Sequence, residues 1–214
     1  MDRKTLKEIA RRGWDAVADR YADELYRELE RKPYDRSLLG RFALMAKREL
    51  PVLDLGCGPG HVTAYLSALG LTARGIDLAP EMIRVARERN PALAFEVGDM
   101  LDLGLAPGSI GGAVAFYSLI NLVRTDVPAL LAQLRVALAP GAPLAIAVHQ
   151  GVGEIRETEV LGARVEMVAT LFTTEELSAY AKEAELTVDL AETRDPYPEE
   201  YPTRRVYLIA MRRG

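Results

Sequence analysis

The glycine-rich segment at residues 54–60 has the residues best suited to bind a ligand. It reads Asp-Leu-Gly-Cys-Gly-Pro-Gly and follows a short apolar run, as a loop between a β-strand and a helix would. Glycines in such a loop permit a tight turn and let a ligand approach the backbone closely. Because dinucleotide-binding enzymes use similar loops, the glycines predict a ligand site without identifying the ligand.

Asp54, at the head of this loop, indicates a ligand with positive charge. A loop that holds pyrophosphate gains from the partial positive charge of a helix N-terminus, and a carboxylate beside it would repel the phosphate. The same carboxylate would attract an ammonium group. S-adenosylmethionine has an ammonium group and no phosphate, so Asp54 favours it as the ligand.

Acidic residues also stand at the end of the second predicted strand and just after the third. Asp77 stands where a carboxylate can accept hydrogen bonds from both ribose hydroxyls. A nicotinamide-dependent enzyme would offer the same group, so Asp77 indicates a nucleoside more than one particular cofactor. Asp99 can accept a hydrogen bond from an adenine amino group, and Met100 supplies an apolar contact to the ring.

The elements that must position these residues alternate between strands and helices. Short apolar runs predict strands at residues 52–55, 72–77, 93–97, 110–116 and 144–148. Helical spacing of apolar residues separates most of them. This alternation predicts right-handed crossovers and a parallel sheet, whose carboxyl edge is where ligands bind.

The flanking segments have other patterns. The N-terminal residues predict two helices without a strand between them, and the second helix covers residues 35–48, after Pro33. Residues 154–170 predict a hairpin. Thr173 and Glu176 have the spacing of a capping box that begins a helix. We therefore expect one domain over residues 1–214, made of an N-terminal helical cap (1–49), a cofactor-binding core (50–150), a hairpin insertion (151–172) and a C-terminal helix with a strand pair (173–214).

Taken together, these motifs resemble those of class I S-adenosylmethionine-dependent methyltransferases, of a small-molecule type in an uncharacterised bacterial branch. The resemblance covers roughly residues 50–150 and depends on residues 52–60, Gly75-Ile76-Asp77, Met82 and Gly98-Asp99-Met100. It implies an α/β, Rossmann-like fold: a seven-stranded, mostly parallel sheet of order 3-2-1-4-5-7-6, with strand 7 antiparallel and helices on both faces.

The resemblance also implies roles for the matched residues. The glycine loop would hold the methionine end of the cofactor, and Leu78 and Met82 would flank the adenine. Family members usually have Ser or Thr where Ala79 stands, so the helix that follows lacks its usual cap. The residues assigned to the cofactor are Asp54, Gly56, Cys57, Gly58, Gly60, Asp77, Leu78, Met82, Asp99, Met100 and Tyr117.

Methyl transfer from a sulfonium depends mainly on holding the acceptor in line, and it needs a base only when the acceptor must lose a proton. His149 follows the fifth strand and is the candidate base; alternatively, it ends the strand without a chemical task. Tyr21 resembles a residue that faces the reaction centre from a helix closing over the cofactor; alternatively, it completes the apolar stripe of its helix. Tyr117 follows the fourth strand and should face the acceptor.

The composition argues against other classes of protein. With 27 Lys+Arg against 31 Asp+Glu, the chain has a formal charge of −4 and no basic stripe with interleaved aromatic residues, so we expect no nucleic-acid partner. One Cys and two His leave little material for a disulfide or a metal site. No apolar run is long enough to cross a membrane, and the first residues lack an apolar leader, so we expect a cytoplasmic protein.

The sequence therefore predicts a methyltransferase that uses S-adenosylmethionine, releases S-adenosylhomocysteine and methylates a small-molecule acceptor at O, N or C, as a monomer or homodimer. Two alternatives remain open. One is a methyltransferase fold that holds the cofactor without turnover. The other, suggested only by the glycines and Asp77, is a nicotinamide-dependent oxidoreductase.

Overall fold

The computed structural model describes residues 2–213, which form a layered α/β structure. The helices are α1 (Arg3–Leu25), α2 (Pro33–Met45), α3 (His61–Ala68), α4 (Pro80–Arg89), α5 (Val127–Ala137) and α6 (Thr174–Glu183). The strands are β1 (Val52–Leu55), β2 (Ala73–Asp77), β3 (Ala94–Val97), β4 (Gly112–Phe116), β5 (Pro143–His149), β6 (Glu154–Glu157), β7 (Met167–Thr170), β8 (Leu186–Arg194) and β9 (Arg205–Arg212). A short 3-10 segment, Glu28–Arg31, joins α1 to α2.

Seven strands form one sheet of order β3-β2-β1-β4-β5-β9-β8. The first five are parallel, and β9 runs antiparallel to both of its neighbours. Strands β6 and β7 form a separate antiparallel pair. If this pair is left out of the numbering, the order is the predicted 3-2-1-4-5-7-6, so the predicted fold class is confirmed.

The centre of the sheet is buried on both faces. Every residue of β1 and β4 is buried, as is β5 up to Val148, because α5 and α6 cover one face while α2 and α3 cover the other. Continuous apolar strands are typical of parallel sheets enclosed in this way. This enclosure leaves the loops at the carboxyl edge as the surface where polar residues can meet a ligand.

Helix α1 packs across this edge against α4. Its buried Val17, Ala18 and Ala22 contact Met82 and Val85 of α4. The sequence predicted a helix in this segment. No helix among residues 2–213 is long and apolar enough to cross a membrane.

The second helix begins earlier than predicted. It starts at Pro33 and ends at Met45, whereas the sequence predicted residues 35–48 with Pro33 as a breaker. Proline fits the first turn of a helix, where its missing N–H has no partner to lose. The same residue that interrupts the pattern therefore begins the new helix.

Candidate cofactor and active site

A cavity of about 1130 Å³, including its open mouth, lies between α1 and the carboxyl ends of β1, β2 and β4. Most residues assigned to the site from the sequence line it: Tyr21, Gly56, Cys57, Gly58, Asp77, Leu78, Met82, Asp99, Met100 and Tyr117. Three assigned residues, Asp54, Gly60 and His149, are not part of its lining. Clefts at this edge of an open α/β sheet are the usual ligand sites.

The glycine loop follows β1 and turns sharply at its first residue. Gly56 has a φ of +67°, and the N–H groups of Gly56 and Cys57 both donate to the carbonyl of Ile76, at 2.7 and 3.0 Å. Gly58 lines the cavity, where a Cβ would meet only Met82 Sδ at 3.9 Å. The loop thus presents backbone to the cavity, and its contact with a ligand stays a prediction.

Asp77 connects β2 to this loop. Its Oδ2 accepts a hydrogen bond from the Gly58 N–H at 2.8 Å, and its Oδ1 accepts from the Ala79 N–H at 2.9 Å. Burial raises the pKa of this carboxyl. Each carboxylate oxygen has a second lone pair, so Asp77 can hold the loop and still accept hydrogen bonds from a ligand hydroxyl.

Asp54 lies beneath the loop rather than in the cavity. Its strand is paired on both sides, by β2 and β4, and the side chain is buried, with the Thr63 hydroxyl donating to Oδ2 at 2.6 Å. Burial raises the pKa of this carboxyl to about 6. A ligand in the cavity would therefore experience its charge through the loop and not by direct contact.

The raised pKa of Asp54 makes a prediction about stability. A carboxyl group whose pKa is higher in the folded than in the unfolded protein makes the protein less stable as the pH rises from the unfolded-state pKa through the folded-state pKa. For Asp54 this range runs from about 4 to above 6. Asp54→Asn cannot ionise, so wild-type unfolding free energy should fall by about 1–3 kcal/mol relative to the variant between pH 4 and pH 8. Urea unfolding of the wild type and the variant at pH 4 and pH 8 measures this change. The same difference in unfolding free energy between the two proteins at both pH values would contradict the prediction.

The other end of the cavity is formed by the residues that follow β3. Asp99 Oδ1 accepts from the Leu101 N–H at 2.9 Å, and Lys7 Nζ of α1 contacts Oδ2 at 2.7 Å. Met100 lies beside it in the lining. Asp99 and Met100 therefore lie side by side, while their role as an adenine subsite stays a prediction, and Lys7 was not foreseen there.

Polar contacts hold α1 over the cavity. Trp14 Nε1 donates to Asn121 Oδ1 at 3.0 Å, and Asp15 Oδ1 accepts from the Glu81 N–H at 3.0 Å. This second bond supplies the cap that Ala79 cannot give to α4. Tyr21 lies in the cavity with its ring edge-on to Trp14, and burial raises the pKa of its phenol well above the usual value.

His149 lies behind the cavity wall. Its Nδ1 is 2.6 Å from the Thr203 hydroxyl, and its ring centre is 5.5 Å from that of Tyr117. Burial, followed by the positive charges of Arg205 and Lys32, lowers the pKa of His149 to about 4. The geometry gives the imidazole no direct path to a ligand, so its role as a base stays a prediction.

Cys57 and the neighbouring acids provide neither a nucleophile nor a metal site. Burial raises the pKa of the Cys57 thiol well above its usual value, which keeps it protonated. Among residues 2–213, no group of three or more His, Cys, Asp or Glu side chains could hold a metal ion.

The deep end of the cavity contains residues that sequence reasoning missed. Glu28 and Asp35 line it, although both are buried. Asp35 accepts a hydrogen bond from the Tyr207 hydroxyl, which is itself 3.0 Å from the Tyr117 hydroxyl. Tyr117 has a φ of +54°, an unusual conformation for a bulky residue that occurs mainly where function requires it.

Three side chains of the lining have a buried polar atom without a hydrogen-bond partner among the described residues. These atoms are His61 Nδ1, Ser118 Oγ and Asp126 Oδ2. Buried polar groups are rarely left unpaired in proteins. Their presence around one cavity fits a ligand with several polar groups.

The comparisons with known proteins agree with this geometry. Residues 52–141 match a family model described as a methyltransferase domain. The chain is similar to the trans-aconitate 2-methyltransferase of Paracidovorax citrulli, with 37% identity over 126 residues, 57% of this chain and 47% of that protein. It is also similar to the malonyl-[acyl-carrier protein] O-methyltransferase of Pectobacterium atrosepticum, with 34% identity over 130 residues, 60% of this chain and 47% of that protein.

The chain spans about half the length of the curated relatives it matches. Among solved structures, a SAM-dependent methyltransferase from Methanosarcina mazei has a TM-score of 0.71 at 19% identity, covering 79% of this chain and 95% of that one. Fold and comparisons indicate one class: residues 52–141 are similar to a methyltransferase domain, and the seven-stranded sheet is that of Rossmann-like class I methyltransferases. The cofactor of this class is S-adenosylmethionine.

Proposed function

We propose that this chain transfers the methyl group of S-adenosylmethionine to a small-molecule acceptor in the cavity beneath α1. The observation that carries the proposal is the position of Asp77, which holds the glycine loop and faces the same cavity as the unpaired polar atoms. The relatives support a small acceptor, since their names specify trans-aconitate and a malonyl group on a carrier protein.

In this proposal, different residues of the cavity bind different parts of the cofactor. Asp77 accepts hydrogen bonds from the ribose hydroxyls, Asp99 and Met100 contact the adenine, and Leu78 and Met82 flank it. Gly56, Cys57 and Gly58 give the methionine end a backbone cradle, and Gly60, outside the cavity lining, supports it by completing the turn. Asp54 favours the positive charge of that end from beneath the loop.

The acceptor would lie on the side of Tyr21 and Tyr117. When bound, the cofactor supplies an electrophilic methyl group on a sulfonium, and displacement requires the acceptor to approach opposite the sulfur. Helix α1 covers this space. The Tyr117 hydroxyl donates to Asp35 Oδ2 at 3.5 Å and is 3.0 Å from the Tyr207 hydroxyl, and Asp35 also lines the cavity, so a proton lost by the acceptor can pass to the Asp35 carboxylate. His149 does not line the cavity, so as a base it would act through Tyr117 and not on the acceptor directly.

We also propose the division of labour that the sequence predicted. Residues 1–49 form a helical cap over the site, residues 50–150 bind the cofactor, residues 151–172 are a hairpin insertion, and residues 173–214 add a helix and a strand pair. The chain would work as a monomer or a homodimer.

Ligand binding and methyl transfer test the proposal together. S-adenosylhomocysteine at a hundred times its Kd should stabilise the chain by about 2.7 kcal/mol, seen as a raised Tm, while NAD should not. Labelled methyl groups should then pass from S-adenosylmethionine to a member of a panel of small acids, phenols and amines. Stabilisation by NAD alone would favour the oxidoreductase, and stabilisation by S-adenosylhomocysteine without transfer would favour a binding protein.

A further inference from the structure

His61 is a polar side chain at the deep end of the cavity that no step above requires. It is the first residue of α3, directly after the glycine loop, and only 10% of its side chain is exposed. Its Nε2 is 3.1 Å from Glu28 Oε1, whereas its buried Nδ1 has no partner among the described residues. One ring nitrogen is therefore held in place and the other is free for a ligand.

Glu28 fixes the orientation of this ring. Burial would raise the pKa of the Glu28 carboxyl, but the hydrogen bond with His61 and the charge of Lys32 outweigh burial and hold the pKa at about 2. Lys32 Nζ lies 2.7 Å from Glu28 Oε2 and 3.3 Å from Glu200 Oε1. An ionised carboxylate can only accept hydrogen bonds, so His61 donates through Nε2 and Nδ1 faces away from Glu28.

The sheet order indicates which part of a ligand His61 would meet. Asp77 and Asp99 follow β2 and β3, towards one edge of the sheet, while the loop before His61 follows the central β1. Glu28 lines the same cavity as Asp35, which bonds to Tyr207 of β9 on the opposite side. A nucleoside at Asp77 and Asp99 would therefore direct its amino-acid tail towards His61.

We propose that His61 Nδ1 binds the zwitterionic amino-acid tail of the cofactor and that Glu28 is the positioning residue for its ring. Nδ1 suits this tail in either form, because a lone pair can accept from the ammonium and an N–H can donate to the carboxylate. The inference rests on the proposed function, and it replaces the direct contact that the sequence assigned to Asp54.

Nuclear magnetic resonance of the histidine ring nitrogens tests this on the unaltered protein. The chain has two histidines, so His149 serves as the internal control. S-adenosylhomocysteine should shift the His61 Nδ1 signal, and 5′-methylthioadenosine, which lacks the tail, should shift it much less, with His149 unmoved. Equal shifts with both ligands, or none while both bind, would overturn the inference. Failure of S-adenosylhomocysteine to bind would instead overturn the proposed function.

Variants give an independent measure by calorimetry. In His61→Gln, the amide reaches about as far as Nε2, so the contact with Glu28 remains while the group at Nδ1 is lost. We expect about tenfold weaker binding of S-adenosylhomocysteine and a change within about twofold for 5′-methylthioadenosine. Tyr65→Phe, on the same helix outside the cavity lining, should change neither. Equal losses for both ligands in His61→Gln would contradict the assignment.

Glu28→Gln tests the positioning role separately. It should reduce the preference for S-adenosylhomocysteine over 5′-methylthioadenosine and shift the His61 Nε2 signal, because the ionised acceptor is gone. A variant that binds both ligands as the wild type does, with an unchanged ring signal, would remove Glu28 from the proposal.

Discussion

Asp77→Ala should weaken the binding of S-adenosylhomocysteine by on the order of 1.5–3 kcal/mol, or roughly ten- to a hundredfold. The side chain has two tasks that alanine cannot perform. It faces the cavity where ribose hydroxyls would lie, and it accepts the backbone N–H groups of Gly58 and Ala79. Losing the second task loosens the loop that should hold the methionine end, so both parts of the ligand lose support. Titration calorimetry measures the change.

Asp102→Ala is the matched control for this experiment. Asp102 is an exposed acid near the same edge of the sheet and does not line the cavity. Its removal changes the net charge by the same amount, so it corrects for long-range electrostatics. Equal affinities for Asp77→Ala and the wild type would remove the ribose assignment.

Gly56→Ala should have the largest effect on stability. The residue has a φ of +67°, and a Cβ there would collide with the Cβ of the buried Ser118. The left-handed conformation costs about 1–2 kcal/mol for a residue with a Cβ, and overpacking adds about 1–3 kcal/mol. We therefore expect a loss of about 2–5 kcal/mol in the free energy of unfolding, measured by urea denaturation.

Gly104→Ala separates these two costs. Gly104 has a φ of +57°, and a Cβ there would meet nothing within 4 Å. The Gly104→Ala variant should lose only the conformational part of the free energy of unfolding, about 1–2 kcal/mol. If both variants lost the same amount, the close approach of the glycine loop to Ser118 would be unimportant for folding.

The fold could be predicted because its signals are local. Buried parallel strands read as continuous apolar runs, as β4 and β5 do, and the helices between them have a clear periodicity. Pro33 was misjudged because the same residue can end one helix or begin another, and only the packing of α2 decides which. The cap that Asp15 supplies to α4 joins positions far apart in sequence, so no local pattern indicates it.

The candidate site was predictable where its residues follow strands. Asp77, Asp99 and the glycine loop lie at strand ends, which meet at one edge once the sheet is parallel. Glu28 and His61 come from segments that meet only when α1 folds over that edge, and nothing in their spacing predicts the pair. Asp54 is buried because strands pair with β1 on both sides. Its charge would therefore act on a ligand through the loop and not by direct contact.

A crystal structure with bound S-adenosylhomocysteine tests the central claim most directly. We predict the ribose hydroxyls within hydrogen-bond distance of Asp77, the adenine beside Asp99 and Met100, and the sulfur facing the space next to Tyr21 and Tyr117. A ligand elsewhere on the chain would contradict the account. So would a nicotinamide dinucleotide found with its diphosphate on the glycine loop.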